Sequence, residues 1–192
     1  MLCPSSAEGK DGWRVHFEST TDFEMTWDST DPLNDGIKIS AIQPSILTLA
    51  KGELMAIGRT RQERLFEIHS VDAGKTWSQM KLTDLPNPNS GTDAVTLKDG
   101  RQLLVYNHTP KDGQRTPLNV AVSLDGAHWN SAYVLEDQPR AEFSYPAVIQ
   151  TKDGLIHITY TWKRKRIKHV VLDPAKLELK PPGATPRQPK GN

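Results

Sequence analysis

Ser70-Val71-Asp72-Ala73-Gly74-Lys75-Thr76-Trp77 is the stretch on which the fold turns. Two hydroxyls, a carboxylate, a glycine and an indole fall within eight residues. These are the materials of a tight turn whose side chains bond their own backbone and whose tryptophan needs burial. The pattern recurs on either side. Thr20-Thr21-Asp22-Phe23-Glu24-Met25-Thr26-Trp27 keeps the Asp, Thr and Trp with Glu24 at the glycine place, and Ser123-Leu124-Asp125-Gly126-Ala127-His128-Trp129 is one residue shorter. The three tryptophans stand 50 and 52 residues apart. A second series lies between these boxes, each time a β-rich run ending in a glycine turn: Pro44 to Gly52, Asp93 to Gly100, Tyr145 to Gly154. Its glycines are 48 and 54 residues apart. Two series sharing one period near 50 make this a repeat protein.

Each period holds four short runs rich in β-branched residues and bounded by turn formers. In the clearest unit they cover residues 43–49, 53–59, 65–70 and 76–82. Four antiparallel strands in about 40 to 50 residues describe a propeller blade, with the Asp box as the turn between its third and fourth strands. Residues 13–28 supply the last two strands of one unit, two whole units follow, and a fourth ends near Leu172. The expectation is an all-β chain carrying about three and a half blades, fewer than the roughly four to eight of a closed ring. Residues 1–12 read as a lead without fixed structure. Residues 174–192, rich in Pro and Gly, read as a tail that buries no core.

Composition narrows the function. The 192 residues carry 24 Lys plus Arg against 23 Asp plus Glu, a net charge of +1, so no overall field would grip a phosphate backbone or an anionic membrane, and neither nucleic acid nor membrane is expected as a partner. Five Trp, four Tyr and four Phe provide bulky core material. Cys3 is the single cysteine, which excludes an internal disulfide and any cysteine-cluster metal site. No H-E-x-x-H, G-x-S-x-G, Walker or dinucleotide fingerprint occurs, so no cofactor or metal is expected.

Topology then says where chemistry can gather. In an antiparallel blade the first strand begins and the second ends at the same rim. Gln43, Ser90, Thr92, Asp93, Ser144 and Tyr145 should therefore converge with Arg59, Arg61, Asn107, His108, Trp162 and Arg164 at one mouth. The arginine fork suits a carboxylate, and several arginines at one mouth point to an acidic sugar.

Taken in order, Gln43 through Gly52 to Arg59, the Arg115-x-Pro-Leu run entering an Asp box, and Tyr145 nine residues before Gly154 resemble the sialidase (neuraminidase) superfamily with bacterial neuraminidase repeats. The resemblance covers roughly residues 13–173. It implies a six-bladed propeller in which three arginines bind the substrate carboxylate, a tyrosine assisted by a glutamate is the nucleophile, and an aspartate is the acid/base. Arg59 resembles the second arginine, Arg115 the third, and Tyr145 the nucleophile. Gln43 stands where the glutamate would be, and the blades bearing the first arginine and the aspartate are not in this chain. The resemblance therefore implies the C-terminal half of such a domain, completed by a missing N-terminal half or by self-association, with a secreted or periplasmic parent.

The resulting expectation is a sialidase-like, exo-acting glycoside hydrolase with an incomplete site: Tyr145 catalytic, and Arg59, Arg115, Gln43, Asp93, Asn107 and Arg164 binding an acidic glycan. Two alternatives stay open. One is a uronate-acting lyase or other glycosidase on the same propeller, and the other is a non-catalytic glycan-binding propeller favoured by Gln43.

Overall fold

In a computed structural model that describes residues 1–22 and 25–181, the chain is all-β and forms four antiparallel sheets in sequence order. The first sheet holds β1 (Leu2–Gly9), β2 (Gly12–Ser19) and β3 (Asp28–Ser29). The second holds β4 (Ala41–Thr48), β5 (Leu54–Thr60), β6 (Arg64–Ser70) and β7 (Lys81–Pro86). The third holds β8 (Asp93–Thr96), β9 (Gln102–Tyr106), β10 (Leu118–Ser123) and β11 (Trp129–Glu136), and the fourth holds β12 (Phe143–Gln150), β13 (Ile156–Trp162) and β14 (Arg166–Leu172). Every strand pairs with its neighbour in the chain, which is the up-and-down order of propeller blades.

The blades stack face to face through three apolar layers. Val15 and Phe17 of the first blade meet Ala56, Phe66 and Ile68 of the second. Leu47, Met55, Ile57 and Leu65 meet Leu104, Tyr106 and Trp129 of the third. Leu103, Val105, Val120 and Val122 meet Phe143, Val148, Ile158 and Tyr160 of the fourth. Strand alternation accounts for the split, since Ile156, Ile158 and Tyr160 point into a layer while His157 and Thr159 point away. The second and third blades are covered on both faces, so Met55 through Thr60 are buried without a break.

Each Asp box closes its turn as its residue types require. Ser70 Oγ donates to Asp72 Oδ1 (2.8 Å), Thr76 N and Oγ1 donate to the two carboxylate oxygens (2.9 and 2.6 Å), and Trp77 Nε1 donates to Gly74 O (3.1 Å). The Trp77 ring stacks on Phe17 of the preceding blade with centroids 4.3 Å apart. In the shortened third box His128 replaces the threonine, its Nδ1 lying 2.7 Å from Asp125 Oδ2, and Trp129 Nε1 still donates to Gly126 O. In the first box Thr20 and Thr26 bond Asp22, while Phe23 and Glu24 lie outside the described residues.

The structure differs from the sequence expectation in three places. Residues 2–9 are a full strand, not a lead, so the first blade has three strands where two were expected. β1 pairs with β2 from Leu2↔Ser19 to Gly9↔Gly12 across a two-residue turn, and Leu2 packs against the layer between the first two blades. The fourth strand of the clearest unit runs over Lys81–Pro86, not 76–82, because the residues after Thr76 belong to the box: Trp77 turns back onto Gly74 and Ser78 N bonds His69 O. The tail is structured at its start. Asp173 caps a short 3-10 turn over Pro174–Lys176, and Lys180 exchanges two backbone hydrogen bonds of 2.9 Å with Ser131. Residues 182–192 lie outside the described residues.

Candidate functional site

The site is built on a repeated irregularity. β4 pairs with β5 in register at Ile42↔Arg59 and again at Ser45↔Ile57, with a bulge between. β12 and β13 do the same between Ser144↔Thr161 and Ala147↔Thr159. Each bulge is a residue followed by proline, Gln43-Pro44 and Tyr145-Pro146, since proline has no N–H for the ladder. Gln43 and Tyr145 adopt φ of 55° and 50°, left-handed values that cost a non-glycine residue energy, the more so before proline. The distortion turns both side chains out of the sheet, and both are exposed at the mouth.

The pairing of β8 with β9 places Gly91 at the equivalent position of the third blade. Gly91 is buried between the other two. A Cβ there would lie 3.0 Å from Tyr145 Cδ1 and 3.6 Å from Gln43 Oε1. The glycine lets the tyrosine ring lie across the intervening blade toward Gln43.

Arg59, the last residue but one of β5, lies beside this group and is 7% exposed. Its Nη1 donates to Asn89 O (3.0 Å), and its guanidinium lies 5.3 Å from the Trp13 ring centroid, over which Arg61 also stacks at 4.0 Å. Burial pulls the Arg59 guanidinium below its ordinary value. Arg115 pushes the same way, while Tyr145 and Glu8 oppose it. Four residues around the 89–92 loop hold buried polar atoms without a protein partner: Arg59 Nε, Arg115 Nη1, Asn89 Oδ1 and Thr92 Oγ1. A buried polar atom left unpaired costs about 1–3 kcal/mol, more when charged.

Of the residues expected at the mouth, the structure brings Gln43, Arg59, Arg115 and Tyr145 together. Asp93 and Asn107 have other work. Asp93 Oδ1 accepts from Ser45 Oγ (2.9 Å) of the second blade and Asp93 Oδ2 accepts from Val148 N (2.8 Å) of the fourth, so its carboxylate clamps three blades. Asn107 is fully buried with its amide spent on Pro117 O, Phe143 O and the Ser90 hydroxyl. Asn107 thereby holds the loop that carries Asn89 and Gly91. Arg164 is exposed and paired with Glu142 at 2.5 Å, and it lies near enough to Tyr145 for the two to interact electrostatically.

Three further residues join the mouth from the segment read as a lead or its edge: Ser6, whose hydroxyl accepts from Gln43 N (3.2 Å), Glu8, and its cross-strand partner Trp13. A usable signal was present. Gly9-Lys10-Asp11-Gly12 is a two-residue turn bounded by glycines, and a hairpin there places Glu8 opposite Trp13.

Blades stitched at Asp boxes, with arginines and a tyrosine at the opposite end from the boxes, define the blades of an Asp-box propeller. The chain belongs to the BNR repeat-like domain family, whose profile matches residues 1–158. No curated protein matches it. Among solved structures it is similar to the NanB sialidase of Streptococcus pneumoniae, at 15% identity and a TM-score of 0.71 over 92% of this chain and 30% of that one. It is also similar to the intramolecular trans-sialidase of Ruminococcus gnavus, at 20% identity and 0.69 over 94% and 42%. A protein of unknown function from Dyadobacter fermentans matches at 20% identity and 0.72 over 90% and 50%. At these identities the likeness is one of fold, and the chain spans 30% to 50% of the lengths of these three structures.

Proposed function

We propose that this chain forms the carboxylate-binding side of a sialidase-like site, in which Arg59 and Arg115 hold the acid group of a sugar such as sialic acid beneath Tyr145. The observation that carries this reading is the pair of buried guanidinium nitrogens, Arg59 Nε and Arg115 Nη1, left without partners beside an exposed phenol. Arginine meets carboxylate with a planar, two-pronged set of donors, and in a partly desolvated setting such charge-assisted bonds are worth about 1.5–3 kcal/mol. The R. gnavus trans-sialidase structure is of a complex with oseltamivir carboxylate, which agrees with an acidic ligand in this family of folds.

In a glycoside hydrolase on this plan, Tyr145 would attack the anomeric carbon. A phenol titrates near 10 and needs a base or a positive field to attack at neutral pH. Gln43 cannot serve as that base, so Arg59 would have to supply the field. This favours a second reading, a propeller that binds acidic glycans without turning them over. Titration of the chain with N-acetylneuraminic acid, followed by calorimetry or by NMR of the arginine side chains, tests the shared part of both readings. Saturable binding abolished by Arg59→Ala supports it, and no binding at millimolar ligand refutes it.

A further inference from the structure

One carboxylate faces the arginines of the mouth from the first blade. Ser6 and Glu8 lie two residues apart on β1, so their side chains share a face, and the Ser6 hydroxyl fixes that face against the Gln43 backbone. Glu8 is the cross-strand partner of Trp13, whose ring lies under both Arg59 and Arg61, so Glu8 and Trp13 point the same way, toward β5. The Glu8 side chain is exposed, and its charge reaches Arg59 together with those of Tyr145 and Arg115.

The charge balance of such a mouth decides what it holds. Three guanidiniums, Arg59, Arg61 and Arg115, would on their own favour the most highly charged anion available, a phosphate or sulfate ester or a dicarboxylate, over a single carboxylate. A fixed negative charge beside them works against that order by repelling the second charge of the ligand, while its oxygens remain good acceptors for hydroxyl groups. We propose that Glu8 biases the ligand class of this site, lowering its preference for dianions relative to hydroxyl-rich sugars with one acid group. The inference rests on the acidic-sugar reading above and adds to it the residue that disfavours phosphorylated and doubly acidic sugars.

The test compares two probes at pH 7.5, N-acetylneuraminic acid with one charge and glucose 1-phosphate with about two, on the chain and on Glu8→Gln. The replacement is close to isosteric at an exposed strand position, and circular dichroism checks its fold. Glu8→Gln should shift the ratio of the two affinities at least about threefold toward glucose 1-phosphate, mainly by strengthening the phosphate. An unchanged ratio in Glu8→Gln, with N-acetylneuraminic acid still bound, overturns the inference and leaves the acidic-sugar reading intact. Absent binding of N-acetylneuraminic acid with phosphate strengthened in the variant refutes the acidic-sugar reading and supports the role of Glu8. Binding of neither probe to either chain overturns both.

Discussion

Gln43 and Tyr145 occupy the same position of two blades and face each other across Gly91, each a pre-proline residue at a bulge with φ near 50°. The repeat that builds the scaffold therefore also builds the mouth. One period places a glutamine, the next a glycine, the third a tyrosine, and the empty middle position brings the outer two toward one another.

Gly91→Ala puts a methyl group 3.0 Å from the Tyr145 ring. Contacts that tight force a neighbour to give way, and an exposed ring is the part that can. The expected outcome is a chain that melts within a few degrees of the parent but binds N-acetylneuraminic acid several-fold more weakly, with Gly91→Val worse. Affinity for both variants equal to that of the parent would show that the ring position is immaterial to binding.

The two arginine-rich parts of the surface should respond differently to loss of charge. Arg59 is buried with an unpaired Nε, whereas Lys168 is a half-exposed cation already paired with Glu136 at 2.5 Å. Losing a desolvated charge-assisted bond costs about 1.5–3 kcal/mol and an exposed one about 0–1. Arg59→Ala should weaken binding of N-acetylneuraminic acid tenfold or more and Lys168→Ala less than about fivefold. Equal losses in a titration series would count against a carboxylate pocket at Arg59.

Much of this was legible in the sequence, and what was not has physical causes. Asp72 and Trp77 announced the blade because the turn uses side chains whose bonding is local. Arg59 and Tyr145 were placed at one rim by strand order alone. For Asp93 and Asn107 the sequence leaves open whether a polar residue at a rim turns to a ligand or to the next blade, which only the packing between blades decides. Glu8 was missed because β1, reading Leu-Cys-Pro-Ser-Ser-Ala-Glu-Gly, has no apolar alternation. It is a strand through its ladder to β2 and its seat beside β4. Gly91 could have been found by carrying the Gln43 and Tyr145 alignment through the middle repeat.

Acid should loosen the blades at their Asp boxes. Hydrogen bonds from Thr26 and Thr20 hold Asp22 at about 2, and those from Thr76 and Ser70 hold Asp72 at about 2, against an ordinary value of 3.8. A carboxyl whose value is lower in the folded than in the unfolded chain adds stability that is present above about pH 4 and disappears as the pH falls through about 2. The urea midpoint should therefore drop steeply between pH 4 and 2. Asp72→Asn should be less stable than the parent at neutral pH, with the gap closing toward pH 2. A gap that persists at pH 2 would mean that the side chain acts through shape, not charge.

The outermost faces predict association. Trp27, the first-blade counterpart of Trp77, is 48% exposed, where Trp77 is stacked on Phe17. On the fourth blade Ile149, Ile167 and Val171 stand exposed on the face turned away from the third. Uncovered apolar faces and free strand edges drive self-association. Light scattering of the 192-residue chain should show dimers or larger species, with Ile167→Lys shifting the distribution toward monomer. A monodisperse monomer at tens of micromolar would refute this.

The last prediction concerns turnover. Tyr145 is 56% exposed, so its phenol has no burial to stop it from meeting a sugar, yet the residue beside it is an amide. For Tyr145 to attack an anomeric carbon its proton must leave. Gln43 offers only a neutral amide oxygen, and the Arg59 guanidinium accepts no proton. General acid–base assistance is typically worth about 10²- to 10⁴-fold, and its loss at Gln43 should leave the chain without measurable sialidase activity. The assay is release of an aryl leaving group from an aryl sialoside, which needs no protonation on departure and so isolates the nucleophilic step. The chain should release no more than the Tyr145→Phe variant, while Gln43→Glu, which restores a carboxylate at the bulge facing Tyr145, should raise release if any change in this chain does. Robust release by the unaltered chain, abolished by Tyr145→Phe, would show that Arg59 alone activates the phenol and would make the amide at position 43 compatible with catalysis.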